Sequence, residues 1–100
     1  MIAGLDKIDD DNYEPVVATY DSIGYLETSN FEVAGTGAEF LHGSCEAFYK
    51  PDLGPEELFG VVSNVLLSAL DRDSLSGWGA YVYILTPTEL TVRALKTRMD

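Results

Sequence analysis

Basic side chains are scarce in this sequence: six Lys and Arg stand against 17 Asp and Glu, for a formal net charge of −11 and a pI near 4.2. So acidic a chain lacks the electrostatic footprint that nucleic acid or an anionic membrane calls for. Cysteine is nearly absent as well. Cys45 alone excludes an internal disulfide and a multi-cysteine zinc site, and it fits a reducing compartment. No signal-peptide pattern is visible and no apolar run is long enough to span a bilayer, so the expectation is a soluble, intracellular protein. Neither G-x-S-x-G nor H-E-x-x-H occurs, and there is no internal repeat or low-complexity tract.

What is present is globular in composition, 46% hydrophobic and 11% aromatic. One hundred residues make one domain at most, able to bury about two-thirds of its unfolded surface. The charge is uneven. Residues 1–50 hold ten acidic and two basic side chains, whereas Arg93, Lys96 and Arg98 place half of all basic residues in the last eight positions.

The best-specified element is a helix over 55–72. Pro55 suits the first helical turn, and Glu56 and Glu57 oppose the positive end of the macrodipole. Leu58, Val62, Val65, Leu66 and Ala69, flanked by Phe59 and Leu70, recur at three- and four-residue steps and form a wide apolar stripe. The helix end is less regular. Arg72 complements the negative C-terminus but Asp71 and Asp73 oppose it, a conflict expected where function or assembly overrides local stability, or where an Asp or Ser caps the next turn.

Around this helix the chain reads as strands, two helices, then strands. Met1 to Leu5 predicts a strand that begins without a polar lead-in, and the expectation is that the chain has been cut there. Pro15 to Tyr20, Tyr25 to Glu27 and Phe31 to Ala34 predict further strands, with a turn at Asp21-Ser22-Ile23-Gly24. Thr36 and Glu39 stand at capping-box spacing ahead of a helix over 37–49, whose buried stripe is expected to be Ala38, Leu41, Cys45 and Phe48. Ala80 to Leu85 and Leu90 to Leu95 predict a hairpin around Thr86-Pro87-Thr88-Glu89. This order argues for an α+β layered domain with two sheets or sheet halves.

Several clusters invite chemistry. Asp9, Asp10, Asp11 and Asn12 could hold calcium, but the spacing and glycine of an EF-hand loop are missing and a solvated turn is favoured. Gly35 and Gly37 resemble the opening of a dinucleotide loop, yet Phe40 replaces the third glycine and the preceding strands look antiparallel. His42 and Cys45 lie on neighbouring turns with Glu39 or Glu46 near the imidazole. No separate element brings them together as base and nucleophile, so a polar histidine and a core cysteine are favoured.

Ile2-Ala3-Gly4-Leu5-Asp6, Asp21 to Gly24, Phe31 to Gly37, Ala69-Leu70-Asp71-Arg72-Asp73 with Ser76-Gly77, and the ending Arg93 to Asp100 together resemble the C-terminal half of a proteasome beta subunit, of the non-catalytic kind. The resemblance runs through essentially the whole chain. It implies the four-layer αββα sandwich of the N-terminal nucleophile (Ntn) hydrolases, with residues 1–100 forming a single beta-type domain whose N-terminal half is missing. It implies no catalysis here, because the N-terminal threonine nucleophile and its lysine lie outside this stretch. Thr36, Asp73 and Ser76 match positions that support catalysis in active siblings and would be vestigial. Asp21 matches an acidic residue that leans into a neighbouring subunit's substrate pocket, where a carboxylate favours basic side chains.

Other alpha and beta subunits in stacked rings would be the partners, met through the outer faces of the two helices, with no nucleic acid, no membrane, no cofactor and no metal. The implied location is cytoplasm and nucleus, and the implied work a structural part in ubiquitin-dependent protein degradation. Two readings compete: a free-standing acidic module that binds a cation or basic partner through residues 6–14, and half of an active Ntn hydrolase paired with a separate chain.

Overall fold

The computed structural model describes residues 1–97; Arg98, Met99 and Asp100, the end of the segment carrying the resemblance, lie outside the described residues. Seven elements follow in chain order: β1 (Ile2–Lys7), β2 (Tyr13–Tyr20), β3 (Leu26–Thr28), α1 (Ala38–Phe48), α2 (Pro55–Leu70), β4 (Ala80–Leu85) and β5 (Leu90–Leu95). The class is α+β. Strands β1, β2 and β3 form one antiparallel sheet with β2 central, and β4 and β5 form a separate antiparallel hairpin.

The β1–β2 register runs from Ile2 opposite Ala18 to Lys7 opposite Tyr13. β3 pairs only with Ala18 to Tyr20, so Pro15 faces a single neighbour strand, which suits a residue without an N–H. The tight connection is held by Asp9, whose Oδ1 accepts from the Asp11 and Asn12 amides at 3.0 and 2.9 Å. The acidic stretch is therefore a self-capped turn.

Phe31 to Ala34, expected as a strand, is irregular. Its side chains are anchored in two directions: the Phe31 ring packs against His42 of α1 and Tyr49 just past its end, each 5.7 Å away, while Glu32 Oε2 accepts from Thr19 Oγ1 of β2 at 3.3 Å. Side-chain anchorage replaces ladder bonds. Both helices are shorter than their patterns predict. In α2 the amides of Arg72 and Asp73 both donate to the Ala69 carbonyl at 3.1 Å, which tightens the last turn and ends the helix at Leu70.

Helix α2 packs against α1 on one side and β4 on the other. Its stripe buries Val65 and Ala69, while Leu58 and Val62 stay about 40% exposed. The expected stripe of α1 is only half-buried at Ala38, Leu41 and Cys45, and Phe48 is 59% exposed. The buried apolar core consists of Ala18, Val65, Ala69 and Val82, all small or medium. An accessible surface of 7633 Å² exceeds the roughly 5,600 Å² of a compact domain of this mass, and about half of the unfolded surface is buried rather than two-thirds. The radius of gyration, 14.5 Å against about 13 Å for a compact domain of this length, agrees.

The unburied surface is concentrated. On β4 and β5 the inward positions include buried Val82 and half-buried Arg93, while Tyr81, Tyr83, Leu85, Leu90 and Val92 point outward, 48–66% exposed. The hairpin thus turns an apolar face to solvent and the one charged side chain of its strands, Arg93, toward α2.

Candidate functional site

The loop entering α1 and the loop leaving α2 meet at one carboxylate. Gly35, at φ +95°, turns the chain sharply so that Thr36 faces the α2 exit. Thr36 Oγ1 donates to Asp73 Oδ2 at 2.6 Å, and Ser76 Oγ donates to the same oxygen at 2.6 Å. The Leu75 amide donates to Asp73 Oδ1 at 3.1 Å, and the two hydroxyl oxygens lie 3.4 Å apart. The backbone at Gly37 comes so close that a Cβ there would sit 3.3 Å from Asp73 Oδ2. Any larger residue would have to push the carboxylate aside by a few tenths of an ångström.

Thr36 is consequently not a helix cap. The residue at the start of α1 is Gly37, which has no side chain to cap with, while the Thr36 hydroxyl is turned to the Asp73 carboxylate, to which it donates a charge-assisted hydrogen bond. Asp73 is 8% exposed, and its carboxyl is held below the usual carboxylate value first by Ser76, then by Thr36, then by the Leu75 amide. A carboxylate so stabilised is a poor proton acceptor near neutral pH, and both hydroxyls spend their protons on it. A cleft of about 240 Å³ lies beside it, walled by Leu41, Leu66 and Leu70.

Asp21 belongs to a different loop, at the end of β2. Its Oδ1 accepts from the amides of Ile23 (3.0 Å) and Tyr25 (2.8 Å), and Gly24 at φ +89° completes the turn. Ile23 and Tyr25 are 89% and 65% exposed. The carboxylate thus shapes a rigid, protruding loop.

The remaining candidates stay apart. Among the described residues no hydrogen bond joins His42 to Cys45; the imidazole packs on Phe31, and partial burial pushes the half-buried thiol up, away from a reactive thiolate. At Gly35 to Gly37 the space a phosphate would need holds the Asp73 carboxylate, which repels an anion. No group of three or more His, Cys, Asp or Glu among the described residues is arranged to hold a metal ion, and Asp9, whose carboxyl is lowered by the Asn12 side chain, is engaged within its own turn. No helix among them is long and apolar enough to cross a membrane.

The sequence reading missed one interaction. Arg93 of β5 meets Glu56 of α2 through two hydrogen bonds, 2.9 and 2.5 Å, with its guanidinium 4.6 Å from the centre of the Phe59 ring. Strand alternation puts Arg93 on the inward face, which was the available signal, but nothing in the spacing points to Glu56.

The proteasome subunit family profile matches residues 1–85, a stretch that holds Asp21 and the whole Thr36–Asp73–Ser76 knot. The chain belongs to the proteasome subunit family. Across its full length it is 56% identical to the proteasome subunit beta type-3-A of Arabidopsis thaliana, 52% to the beta type-3 subunit of Picea mariana and 47% to that of Saccharomyces cerevisiae. Each alignment covers all of this chain and 48% of the relative, so the chain spans about half the length of the curated relatives it matches. The likeness of this proteasome-family chain to beta subunits thus extends through β5, beyond the residues matched by the family profile.

Proposed function

We propose that this chain is one half of a single beta-type domain, the four-layer αββα Ntn sandwich, and serves as a non-catalytic structural subunit of the 20S proteasome core particle. The observation that carries this reading is full-length identity of up to 56% to beta type-3 subunits. The excess surface and the outward apolar face of β4–β5 support the half-domain part, since both are costly unless covered. Alpha and beta subunits in stacked rings are the partners, and α1 and α2 present outer faces for assembly. The particle works in ubiquitin-dependent degradation in cytoplasm and nucleus.

In this reading Thr36, Asp73 and Ser76 are vestigial active-site positions that now fix the geometry of the α2 exit. The chain lacks peptidase activity itself, and the lowered Asp73 carboxyl and the two committed hydroxyls support that assignment. Asp21 contributes negative charge to a neighbouring subunit's substrate pocket from its preformed, exposed loop.

The test is the native mass of the tagged chain isolated from its source cells, followed by the denatured subunit mass. A very large multi-subunit particle is expected. A small particle holding only this chain would overturn the proposal.

A further inference from the structure

We propose that Trp78 is the anchor through which this chain docks the part of the family domain that its 100 residues do not contain, an inference that rests on the half-domain reading. Three observations meet at this residue. Its backbone sits at φ +65°, a left-handed conformation that is a genuine outlier for a bulky side chain, with Gly77 before it and Gly79 at φ +137° after it. Its indole is 76% exposed, and Leu75 in the same loop is 79% exposed. The base of the loop is clamped, because Asp73 holds Leu75, Ser76 and Thr36 at once.

In the free chain the strain and the exposure are both unfavourable, and neither is relieved by anything packed on the loop. Burial of the indole in a partner offsets both, and the clamp lowers the ordering cost of presenting it. Tryptophan in a preformed loop is the side chain best suited to that role.

The occupant follows from length and charge. The relatives carry as much chain again as is aligned here, so a complementary polypeptide of similar size exists in the family. The loop runs directly into β4, whose outward face with β5, Tyr81, Tyr83, Leu85, Leu90 and Val92, carries no charged side chain and calls for an apolar sheet or helix face. A second copy of the chain is the poorer occupant, since each copy brings a net charge of −11.

Trp78 is the only tryptophan, so its emission reports its own burial. The chain is mixed with a tryptophan-free polypeptide spanning the part of the Arabidopsis relative outside the aligned region. A one-to-one complex by native mass, a blue-shifted emission maximum and loss of iodide quenching are expected. A complex with unchanged emission overturns the anchor and leaves the half-domain reading standing, whereas no complex with the added polypeptide overturns both. Trp78→Gly relaxes the backbone and removes the indole. It should weaken association at least tenfold with the far-UV circular dichroism of the free chain unchanged, and binding as tight as the wild type's would overturn the proposal.

Discussion

Asp73 gathers more specific bonds than any other side chain near the α2 exit, and its carboxyl is lowered, with Ser76 as the leading cause. A depressed carboxyl stabilises the fold above its ordinary titration range, and that contribution is lost as pH falls through the folded-state value. Asp73→Asn should therefore unfold at lower urea than the wild type at pH 7, and the gap should close below about pH 4, where unfolded carboxyls protonate. Midpoints that stay equally separated down to pH 3 would remove the carboxylate from the account. Ser63 is the opposite case. Its Oγ is buried on α2 with no hydrogen-bond partner among the described residues, so Ser63→Ala should raise the unfolding free energy by about 1 kcal/mol, read from the same urea curves. The knot's three members were grouped by the family resemblance and not by spacing, since Thr36 and Asp73 are separated by 37 positions and only folding makes them neighbours.

At the scale of elements, α2 was legible because its signals are local: Pro55 at the start, two glutamates in the first turn and a regular apolar stripe. The β4–β5 hairpin was legible for the same reason, by alternation around Thr86, whose hydroxyl accepts from the Glu89 amide across the turn. Phe31 to Ala34 has strand-like residues, but its partners are the ring of His42 and the hydroxyl of Thr19, both distant in sequence. The joint between α2 and β5 is equally non-local. Arg93 offers Glu56 a paired geometry and Phe59 a planar cation, and lysine supplies neither. Arg93→Lys should accelerate amide hydrogen exchange in the first turns of α2 while leaving α1 unchanged; uniform protection would show that the joint does not hold the helix. Val82→Ala, in the buried face of β4, should cost about 2 kcal/mol in a urea titration.

The whole molecule is short of interior. Among the described residues four small or medium apolar side chains form the buried core, while the outward hairpin face and the Asp21 loop leave large apolar side chains in water. The free chain should self-associate at tens of micromolar in sedimentation velocity despite its charge, and Tyr83→Lys combined with Val92→Glu should shift it toward monomer. A monomeric wild type with a sharp cooperative melt would contradict this. Composition and periodicity by themselves determined the class, the order of elements and the start of α2, because those depend on contacts a few residues apart. They also placed Asp21 in a turn and limited the options for Cys45. Only the tertiary structure decided that Thr36 binds Asp73 instead of capping α1, that Arg93 turns inward to Glu56, and that Trp78 stands strained in solvent. Each of these turns on which distant groups the chain closure brings within bonding range, and local spacing carries no record of that.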